Sequence, residues 1–145
     1  QRYSDFWEAG RSGFSYYQDL LKISPHHKII DYGCGSLRLG SHFIKYLNSG
    51  NYWGLDITTD FIDMGKEAIG HDLLNEKQPR LEAISEASLS EAINFGADII
   101  ISTACAFQIR PDEKRKYIND LKNLASQSNC MICFDTKISD SLFRY

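Results

Sequence analysis

The sequence predicts an α/β fold with a doubly wound, mostly parallel sheet. A glycine-rich turn at residues 33–35 joins a short apolar run to a helical pattern, which is the strand, loop and helix order of such folds. Strand-like and helical patterns then alternate along the chain, and right-handed crossovers between parallel strands place helices on both faces of the sheet. The run at residues 98–102 is uninterrupted and β-branched, as is typical of a strand that is covered on both sides.

The N-terminal segment, residues 1–24, is rich in aromatic side chains. Phe14, Tyr17 and Leu21 recur at helical spacing, which predicts a helix over residues 12–21. The aromatic residues of the first seventeen positions are Tyr3, Phe6, Trp7, Phe14, Tyr16 and Tyr17.

Two interpretations of these rings remain open. An aromatic stripe at helical period usually packs on a sheet as part of the core. Alternatively, Gly10, Arg11 and Gly13 form a hinge that lets residues 3–7 close over a bound ligand as a lid.

The remaining elements follow from apolar spacing, caps and helix breakers. Strands are predicted at about 28–32, 52–56, 80–84, 98–102 and 130–135. Helices are predicted from Leu39 to about residue 48, Thr58 to about Leu73, Ser88 to before Gly96, and Pro111 to Ser128. Ser88 and Glu91 match a capping box, and residues 75–79 are predicted to form a polar loop. The inward face of the last helix is predicted to carry Tyr117, Leu121, Leu124 and Ala125.

Length and charge limit the class of protein. The 145 residues are enough for one domain with a sizeable core, so residues 1–145 are predicted to form a single domain. The net charge is −3 with the two signs interleaved, and nucleic-acid binding needs clustered cations, so no nucleic-acid partner is expected. The chain has neither an apolar run of membrane-spanning length nor a signal-peptide layout at its start, which predicts no membrane association and a cytoplasmic location.

The C-x-x-C pair near the C-terminus is predicted to be structural. Cys130 and Cys133 form a C-x-x-C pair that would suit zinc or redox chemistry, yet no second pair of ligands has matching spacing. Strand residues three apart also point to opposite faces, which makes a poor chelate. Buried thiols and no metal site are therefore expected.

Two ligands compete for the glycine turn. An NAD fingerprint requires a third glycine where the chain has Arg38. Asp31, two residues before Gly33, would also repel a pyrophosphate in a partly desolvated site. An adenosine derivative that carries a positive sulfonium and an ammonium removes that objection.

Residues 29–36, Ile-Ile-Asp-Tyr-Gly-Cys-Gly-Ser, resemble the glycine-loop signature of the class I S-adenosylmethionine-dependent methyltransferases. Asp56 ends the second predicted strand, 21 residues after Gly35, where that family has an acidic residue that holds both ribose hydroxyls. The resemblance covers about residues 12–135. It implies a Rossmann-like sheet of strand order 3-2-1-4-5, S-adenosylmethionine as methyl donor and S-adenosylhomocysteine as product.

The resemblance also implies site residues by position. The backbone of residues 33–35 would approach the methionine part, Asp31 would brace the loop or meet the ammonium, and Ile57 would pack on adenine. Asp31 and Asp56 also have plain structural alternatives as caps of the turn and of the helix that follow them. The full cofactor set implied is Asp31, Gly33, Cys34, Gly35, Arg38, Asp56, Ile57, Ile84, Ser85, Ser102 and Thr103. Ile84 or Ser85 would contact adenine, Ser102 and Thr103 would lie near the sulfonium, and Phe107 or Gln108 would border the substrate.

Two residues in the loop depart from the family pattern. Leu37 stands where the family commonly has a third glycine, which bears on how the loop turns. Arg38 places a cation at a helix N-terminus against the helix dipole, so it should have a partner. Either a carboxylate of the protein or the carboxylate of the cofactor would serve.

The C-terminal part departs as well. The family adds a sixth strand and an antiparallel seventh, whereas only residues 136–145 follow the fifth predicted strand, and Gln1 is not an initiator methionine. These observations predict a fragment of a longer chain. They also predict that a missing segment or a partner covers the edge of the fifth strand.

The implied function is methyl transfer to a small-molecule, sugar-like or peptide-like acceptor. Residues 102–105 lack the Asn-Pro-Pro-aromatic signature of amino-group DNA methylases, and no Pro-Cys pair supports cytosine chemistry. No general base stands out among His26, His27, His42, His71, Tyr3, Tyr16 and Tyr17, and the four histidines are expected on loop or helix surfaces. A non-catalytic binding module and an NAD-dependent oxidoreductase remain as alternatives.

Overall fold

A computed structural model describes residues 2–106, 108–126 and 129–135 of the chain, with side chains from Asp5 onward. Within this part, five parallel strands form one sheet in the order β3-β2-β1-β4-β5. In chain order the elements are α1 (Arg2–Leu21), β1 (Ile29–Tyr32), α2 (Gly40–Tyr46), β2 (Tyr52–Asp56), α3 (Thr59–Ile69), α4 (His71–Lys77), β3 (Arg80–Ala83), α5 (Glu86–Ile93), β4 (Ile99–Ser102), α6 (Lys114–Leu124) and β5 (Met131–Phe134). The predicted α/β class, strand order and five strand positions are confirmed. No helix of the described residues is long and apolar enough to cross a membrane.

The centre of the sheet is fully covered. Every residue of β1, β2 and β4 is buried, whereas β3 and β5 at the two edges are partly exposed. Ile29 of β1 pairs with Tyr52 on one side and with Ile99 on the other. The strand order therefore reverses between β1 and β4. The loops that follow these two strands diverge there, and a crevice at such a switch point is where ligands bind in open α/β sheets.

Two apolar layers cover the sheet. Residues of β1 alternate between them, with Ile29 in the layer under α1 and α2 and Ile30 in the layer under α5 and α6. Tyr117, Leu121 and Leu124 of α6 are buried in the second layer, as predicted. Residues 127 and 128, the predicted end of this helix, lie outside the described residues.

Helix α1 is continuous from Arg2 to Leu21, which corrects the predicted start near residue 12. The continuous helix also disfavours the alternative of a hinge at Gly10, Arg11 and Gly13. Gly10 is a point of close packing within the helix, since a Cβ there would lie 1.8 Å from the carbonyl oxygen of Arg38. Phe14 packs edge-on against Phe43 and Tyr46, with ring centroids 5.2 and 5.5 Å apart. The core interpretation therefore holds for Phe6, Trp7, Phe14 and Tyr17, which pack against the core. Tyr16 is exposed instead, and the side chain of Tyr3 lies outside the described residues.

Two helix boundaries differ from the sequence prediction. Gly70, with φ of 89°, separates α3 from α4, and α4 continues to Lys77 through the predicted polar loop. The capping box of α5 is three residues earlier than predicted. Ser85 accepts a hydrogen bond from the Ser88 backbone N–H at 3.0 Å, and the Ser88 hydroxyl accepts one from the Ser85 N–H at 2.9 Å. Ser88 therefore makes the reciprocal hydrogen bond of the capping box, which the prediction assigned to Glu91.

Two further predictions concern local structure. The predicted helix start at Thr58 is confirmed, because the Thr58 hydroxyl caps α3 by accepting from the Asp60 N–H at 3.2 Å. The prediction of buried thiols is wrong for Cys130 and Cys133, which are partly exposed at the edge of the sheet.

The two glycines of α1 should respond oppositely to alanine. Gly10→Ala is expected to lower the free energy of unfolding by about 2 kcal/mol, because the new methyl group would overlap the Arg38 carbonyl. Gly13→Ala should raise it by about 0.5–1 kcal/mol, since its Cβ would meet Leu39 at an ordinary 3.5 Å and alanine favours the helix. Urea unfolding of the two variants measures the difference. Equal effects of the two substitutions would contradict the packing described for Gly10.

Candidate functional site

A cavity of about 1080 Å³ opens at the carboxyl ends of the strands, between the loops that follow β1 and β4. Helix α1 forms part of its wall through Gly10, Gly13 and Tyr17. Eight of the predicted cofactor residues line this cavity: Gly33, Cys34, Gly35, Arg38, Asp56, Ile57, Ile84 and Thr103. Gln108 lines it too, whereas Phe107 lies outside the described residues.

Backbone hydrogen bonds hold the glycine loop against β2. The N–H groups of Gly33 and Cys34 both donate to the carbonyl of Leu55, at 2.7 and 3.0 Å. Gly33 has a φ of 85°, and a Cβ there would lie 2.0 Å from Sγ of Cys105. Glycine is therefore required at this position by both its backbone conformation and the space available.

Leu37 takes the backbone conformation that a glycine would favour. Its φ is 61°, in the left-handed region, which costs a residue with a Cβ about 1 kcal/mol. The side chain is completely buried, so apolar contacts offset that strain. The loop thus makes a left-handed turn at residue 37 without glycine.

Asp56 links the glycine loop to the end of β2. Its Oδ2 accepts from the Gly35 N–H at 2.7 Å, and its Oδ1 lies 3.5 Å from the Thr58 N. The side chain of Thr58, not that of Asp56, caps α3, so the capping alternative for Asp56 is wrong. A carboxylate has about four lone-pair directions, and Asp56 therefore retains acceptor capacity toward the cavity that it lines.

Asp31 lies behind the loop and does not line the cavity. Its Oδ2 accepts from the Tyr52 hydroxyl at 2.6 Å, which fixes β1 to β2. Its Oδ1 is buried and has no hydrogen-bond partner among the described residues. Burial raises the pKa of Asp31 to about 6, and the Tyr52 hydrogen bond only partly opposes this shift. This geometry favours the bracing role over the cap of the following turn.

The raised pKa of Asp31 makes stability depend on pH. Because the pKa is about 6 in the folded chain against 3.8 in the unfolded chain, folded protein holds the proton more tightly, and this contribution is lost as pH rises from about 4 to 6. Asp31→Asn cannot ionise. Relative to the wild type, the variant should therefore gain about 2 kcal/mol in free energy of unfolding between pH 4 and pH 7. Urea titrations at several pH values measure this difference, and a constant difference across the range would contradict the shift.

Ser85 and Ser102 do not line the cavity, which corrects their predicted positions. Ser85 caps α5. Ser102 is completely buried, donates to the Tyr32 carbonyl at 2.8 Å and accepts from the Tyr117 hydroxyl at 2.8 Å. Neighbouring residues at a strand end point in opposite directions, so the cavity receives Ile84 and Thr103 instead.

Arg38 is exposed and lines the cavity next to the glycine loop. Within residues 2–106, 108–126 and 129–135, no carboxylate lies within ion-pair distance of its guanidinium. The predicted protein partner is thus absent from the described part of the chain. A cation therefore borders the cavity that has Asp56 on its wall.

Known proteins share this architecture. No protein-family model matches the chain. Two curated proteins named carboxy-S-adenosyl-L-methionine synthase 1, from Yersinia pseudotuberculosis serotype IB and serotype I strains, are each 28% identical over 144 residues, covering 92% of this chain and 57% of theirs. The chain thus spans little more than half the length of these relatives.

Solved structures match the fold more broadly. A putative S-adenosylmethionine-dependent methyltransferase from Methanococcus maripaludis has a TM-score of 0.66 at 14% identity, covering 90% of this chain and 58% of that one. The magnesium protoporphyrin IX methyltransferase from Synechocystis PCC 6803, solved with bound S-adenosylhomocysteine, has a TM-score of 0.59 at 17% identity, covering 85% and 52%. The chain has the class I S-adenosylmethionine-dependent methyltransferase fold. The fold that the glycine loop predicted is confirmed.

On this methyltransferase fold, three of the four histidines have structural contacts. His42 is half-buried rather than on the surface, donates from Nε2 to the Trp7 carbonyl at 2.6 Å and stacks on Phe14. His27 accepts from the Ser24 N–H at 2.9 Å, and His26 lies 3.1 Å from the Asn48 amide. None of the four histidines lines the cavity.

The thiols and phenols at the cavity of this methyltransferase fold stay protonated at neutral pH. Burial raises the pKa of Cys34, and the nearby Asp31 adds to the effect. Burial also raises the pKa of Cys105 and raises that of Tyr17 to about 12. These groups are poor bases and poor nucleophiles in this state.

Sequence reasoning missed the wall of the cavity that faces α6. Tyr32, Tyr117 and Asp120 line it and are buried, and Lys116 lies at its rim. One signal was present in the sequence. Asp120 falls on the apolar stripe of the helix, three residues after Tyr117 and beside Leu121, and an acid on a buried stripe needs a partner.

Proposed function

We propose that the chain binds S-adenosylmethionine in the cavity and transfers its methyl group to a small-molecule, sugar-like or peptide-like acceptor. The observation that carries the proposal is the Asp56 carboxylate, which is anchored by the Gly35 N–H at the end of β2 and lines the cavity. Hydroxyls of a ribose would be donors to the acceptor capacity that remains on Asp56. S-adenosylhomocysteine would be the product.

The chemistry of the cavity fits this cofactor. Its volume of about 1080 Å³ is at the upper end for small-molecule sites, which leaves room for an acceptor beside the cofactor. Arg38, whose guanidinium has no ion-pair partner among the described residues, would bind the carboxylate of the methionine part. Asp31 and Asp56 add negative charge near the loop, which suits a ligand with an ammonium and a sulfonium.

The remaining cofactor contacts are proposed from the positions of the residues around the cavity. The exposed Ile57 and the half-buried Ile84 border the cavity as apolar surfaces for adenine. The backbone of residues 33–35 would hold the methionine part, because the glycines permit close approach. Thr103, just after β4, would lie toward the reacting end.

Bound S-adenosylmethionine supplies the electrophilic methyl group. The chain contributes orientation and the exclusion of water, which are the main protein contributions to a displacement between two bound groups. We propose a small acceptor rather than a nucleic acid, because the net charge is −3 and the charges of both signs are interleaved.

Isothermal titration calorimetry tests the proposal. S-adenosylmethionine and S-adenosylhomocysteine are each expected to bind one site with Kd in the micromolar range, and NAD is expected not to bind. Binding of NAD alone, or of none of the three, would overturn the proposal. Binding of S-adenosylhomocysteine without any methyl transfer would instead favour a non-catalytic binding module.

A second candidate is chemistry on S-adenosylmethionine itself. The 28% identity to two carboxy-S-adenosyl-L-methionine synthases covers 92% of this chain, and their name describes a carboxylated form of the cofactor. Mass spectrometry of cofactor recovered from the purified protein separates the candidates. A species heavier than S-adenosylmethionine by one carbon dioxide would favour this second function.

A further inference from the structure

The floor of the cavity on the α6 side is built from three buried polar residues. Tyr32, Tyr117 and Asp120 all line the cavity, and they are 7%, 4% and 9% exposed. We call these three residues the tyrosine–aspartate floor. Tyr32 comes from the end of β1, and the other two come from α6.

Both tyrosine hydroxyls of the floor already donate hydrogen bonds to other residues of the protein. Tyr32 donates to Oδ2 of Asp120 at 2.8 Å. Tyr117 donates to the Ser102 hydroxyl at 2.8 Å, and the Ser102 hydroxyl in turn donates to the Tyr32 carbonyl at 2.8 Å. Since a carbonyl can only accept, this chain of bonds fixes the direction in which Tyr117 donates.

The oxygens of the floor keep free acceptor capacity. The Lys116 side chain lies at the rim and is 68% exposed. Its Nζ also donates to Oδ2 of Asp120 at 2.7 Å. Oδ1 of Asp120 therefore has no hydrogen-bond partner within residues 2–106, 108–126 and 129–135. Each phenol oxygen also retains a lone pair. Burial raises the pKa of both tyrosines, so they keep the protons that they donate.

We propose that the tyrosine–aspartate floor is the subsite for the methyl acceptor and recognises a hydrogen-bond donor on it, a hydroxyl or an amino group. This inference rests on the proposed function. The floor offers acceptor oxygens and one carboxylate, so a neutral or cationic donor group completes its hydrogen bonds. An anionic group would face oxygens of like polarity in a partly desolvated site.

Two sugars of similar size and opposite charge test the floor. D-glucosamine and D-glucuronate are titrated into ¹⁵N-labelled protein, with and without saturating S-adenosylhomocysteine, and the amide shifts are followed by NMR. D-glucosamine is expected to bind with a millimolar Kd and to shift the amides of Tyr32 and residues 116–121. D-glucuronate is expected to bind at least tenfold more weakly.

Three results would overturn the inference. They are equal or tighter binding of D-glucuronate, binding of D-glucosamine without shifts at the floor, and the absence of shifts with D-glucosamine up to about 50 mM. The two proposals fail separately. If S-adenosylhomocysteine shifts amides of the glycine loop but D-glucosamine shifts none at the floor, only the subsite is rejected. If D-glucosamine shifts the floor but S-adenosylhomocysteine does not bind, the cofactor proposal is rejected, and the floor stands as a donor-binding site without a methyl-transfer role.

Conservative variants separate recognition from a merely structural role. Asp120→Asn replaces the carboxylate at nearly constant shape and should weaken D-glucosamine at least fivefold, with S-adenosylhomocysteine affinity changed less than twofold. Tyr117→Phe removes only a phenol oxygen and should weaken D-glucosamine at least twofold, which keeps the test valid if Asp120→Asn does not fold. Asp112→Asn is the matched control, since Asp112 is exposed, pairs with Arg110 and lies outside the cavity. If both floor variants bind D-glucosamine as the control does, the inference is wrong.

Discussion

Replacing Asp56 with alanine is expected to weaken S-adenosylhomocysteine binding by about a hundredfold, or ~3 kcal/mol. The carboxylate is the proposed acceptor for the ribose hydroxyls, and hydrogen bonds to a charged group are worth about 1.5–3 kcal/mol each. The substitution also removes the anchor of the Gly35 N–H, at 2.7 Å, so the loop would be less well ordered for binding. Isothermal titration calorimetry at fixed pH measures the change.

Two companion variants make this result specific. Asp56→Asn retains one acceptor oxygen and should cost about tenfold in affinity. Asp60→Ala removes an exposed acid in the first turn of α3, outside the cavity, and should leave affinity within twofold. A folded Asp56→Ala variant that binds within threefold of the wild type would contradict the proposed place of the ribose.

Alanine at Gly33 is expected to lower the free energy of unfolding by about 3 kcal/mol. The φ of 85° is unfavourable for any residue with a Cβ, at about 1–2 kcal/mol. The new methyl group would also lie 2.0 Å from Sγ of Cys105, and overpacking of this kind costs about 1–3 kcal/mol. Urea unfolding followed by circular dichroism measures the total.

Gly35 is the matched control for Gly33. Its φ is 53°, and nothing lies within 4 Å of an added Cβ, so Gly35→Ala should cost only about 1 kcal/mol. Cys105→Ala removes the clashing sulfur, and in the Gly33→Ala background it should recover about 1–2 kcal/mol as a coupling energy in a double-mutant cycle. Gly33→Ala would contradict the packing if it were no more destabilising than Gly35→Ala.

The strands could be predicted from the sequence because their signals are local. Residues 98–102 form an uninterrupted β-branched run, and such a run in an α/β chain has few alternatives to a buried parallel strand. The place of Gly33 and Gly35 in the site followed from the order of elements, and that of Asp56 from the family resemblance. Parallel strands end at one edge of the sheet, so residues at their carboxyl ends meet there.

Other features depended on contacts between distant residues. The close approach of Gly10 to the Arg38 carbonyl requires the packing angle of two helices, and a glycine in a sequence reads equally well as a hinge. Likewise, a leucine at position 37 does not show that its backbone has a positive φ. Only the apolar contacts of its fully buried side chain offset that strain.

The side-chain direction at strand ends was the main source of error within the site. Ser85 and Ser102 were predicted to face the ligand, yet each hydroxyl is engaged inside the protein. An error of one residue in position reverses the direction of a side chain, because successive side chains of a strand point to opposite faces of the sheet. Asp120 was missed for a related reason: its partner Tyr32 comes within hydrogen-bond distance only when α6 packs on β1. The pairing of Asp120 with Lys116, four residues earlier on the same helix, is local.

A crystal structure of the chain with S-adenosylhomocysteine tests the central claim most directly. The ribose hydroxyls are expected within hydrogen-bond distance of the Asp56 carboxylate, with the methionine part against residues 33–35 and its carboxylate near Arg38. The tyrosine–aspartate floor is expected to remain free for an acceptor. A ligand bound elsewhere, or bound in the cavity with its ribose away from Asp56, would contradict the account.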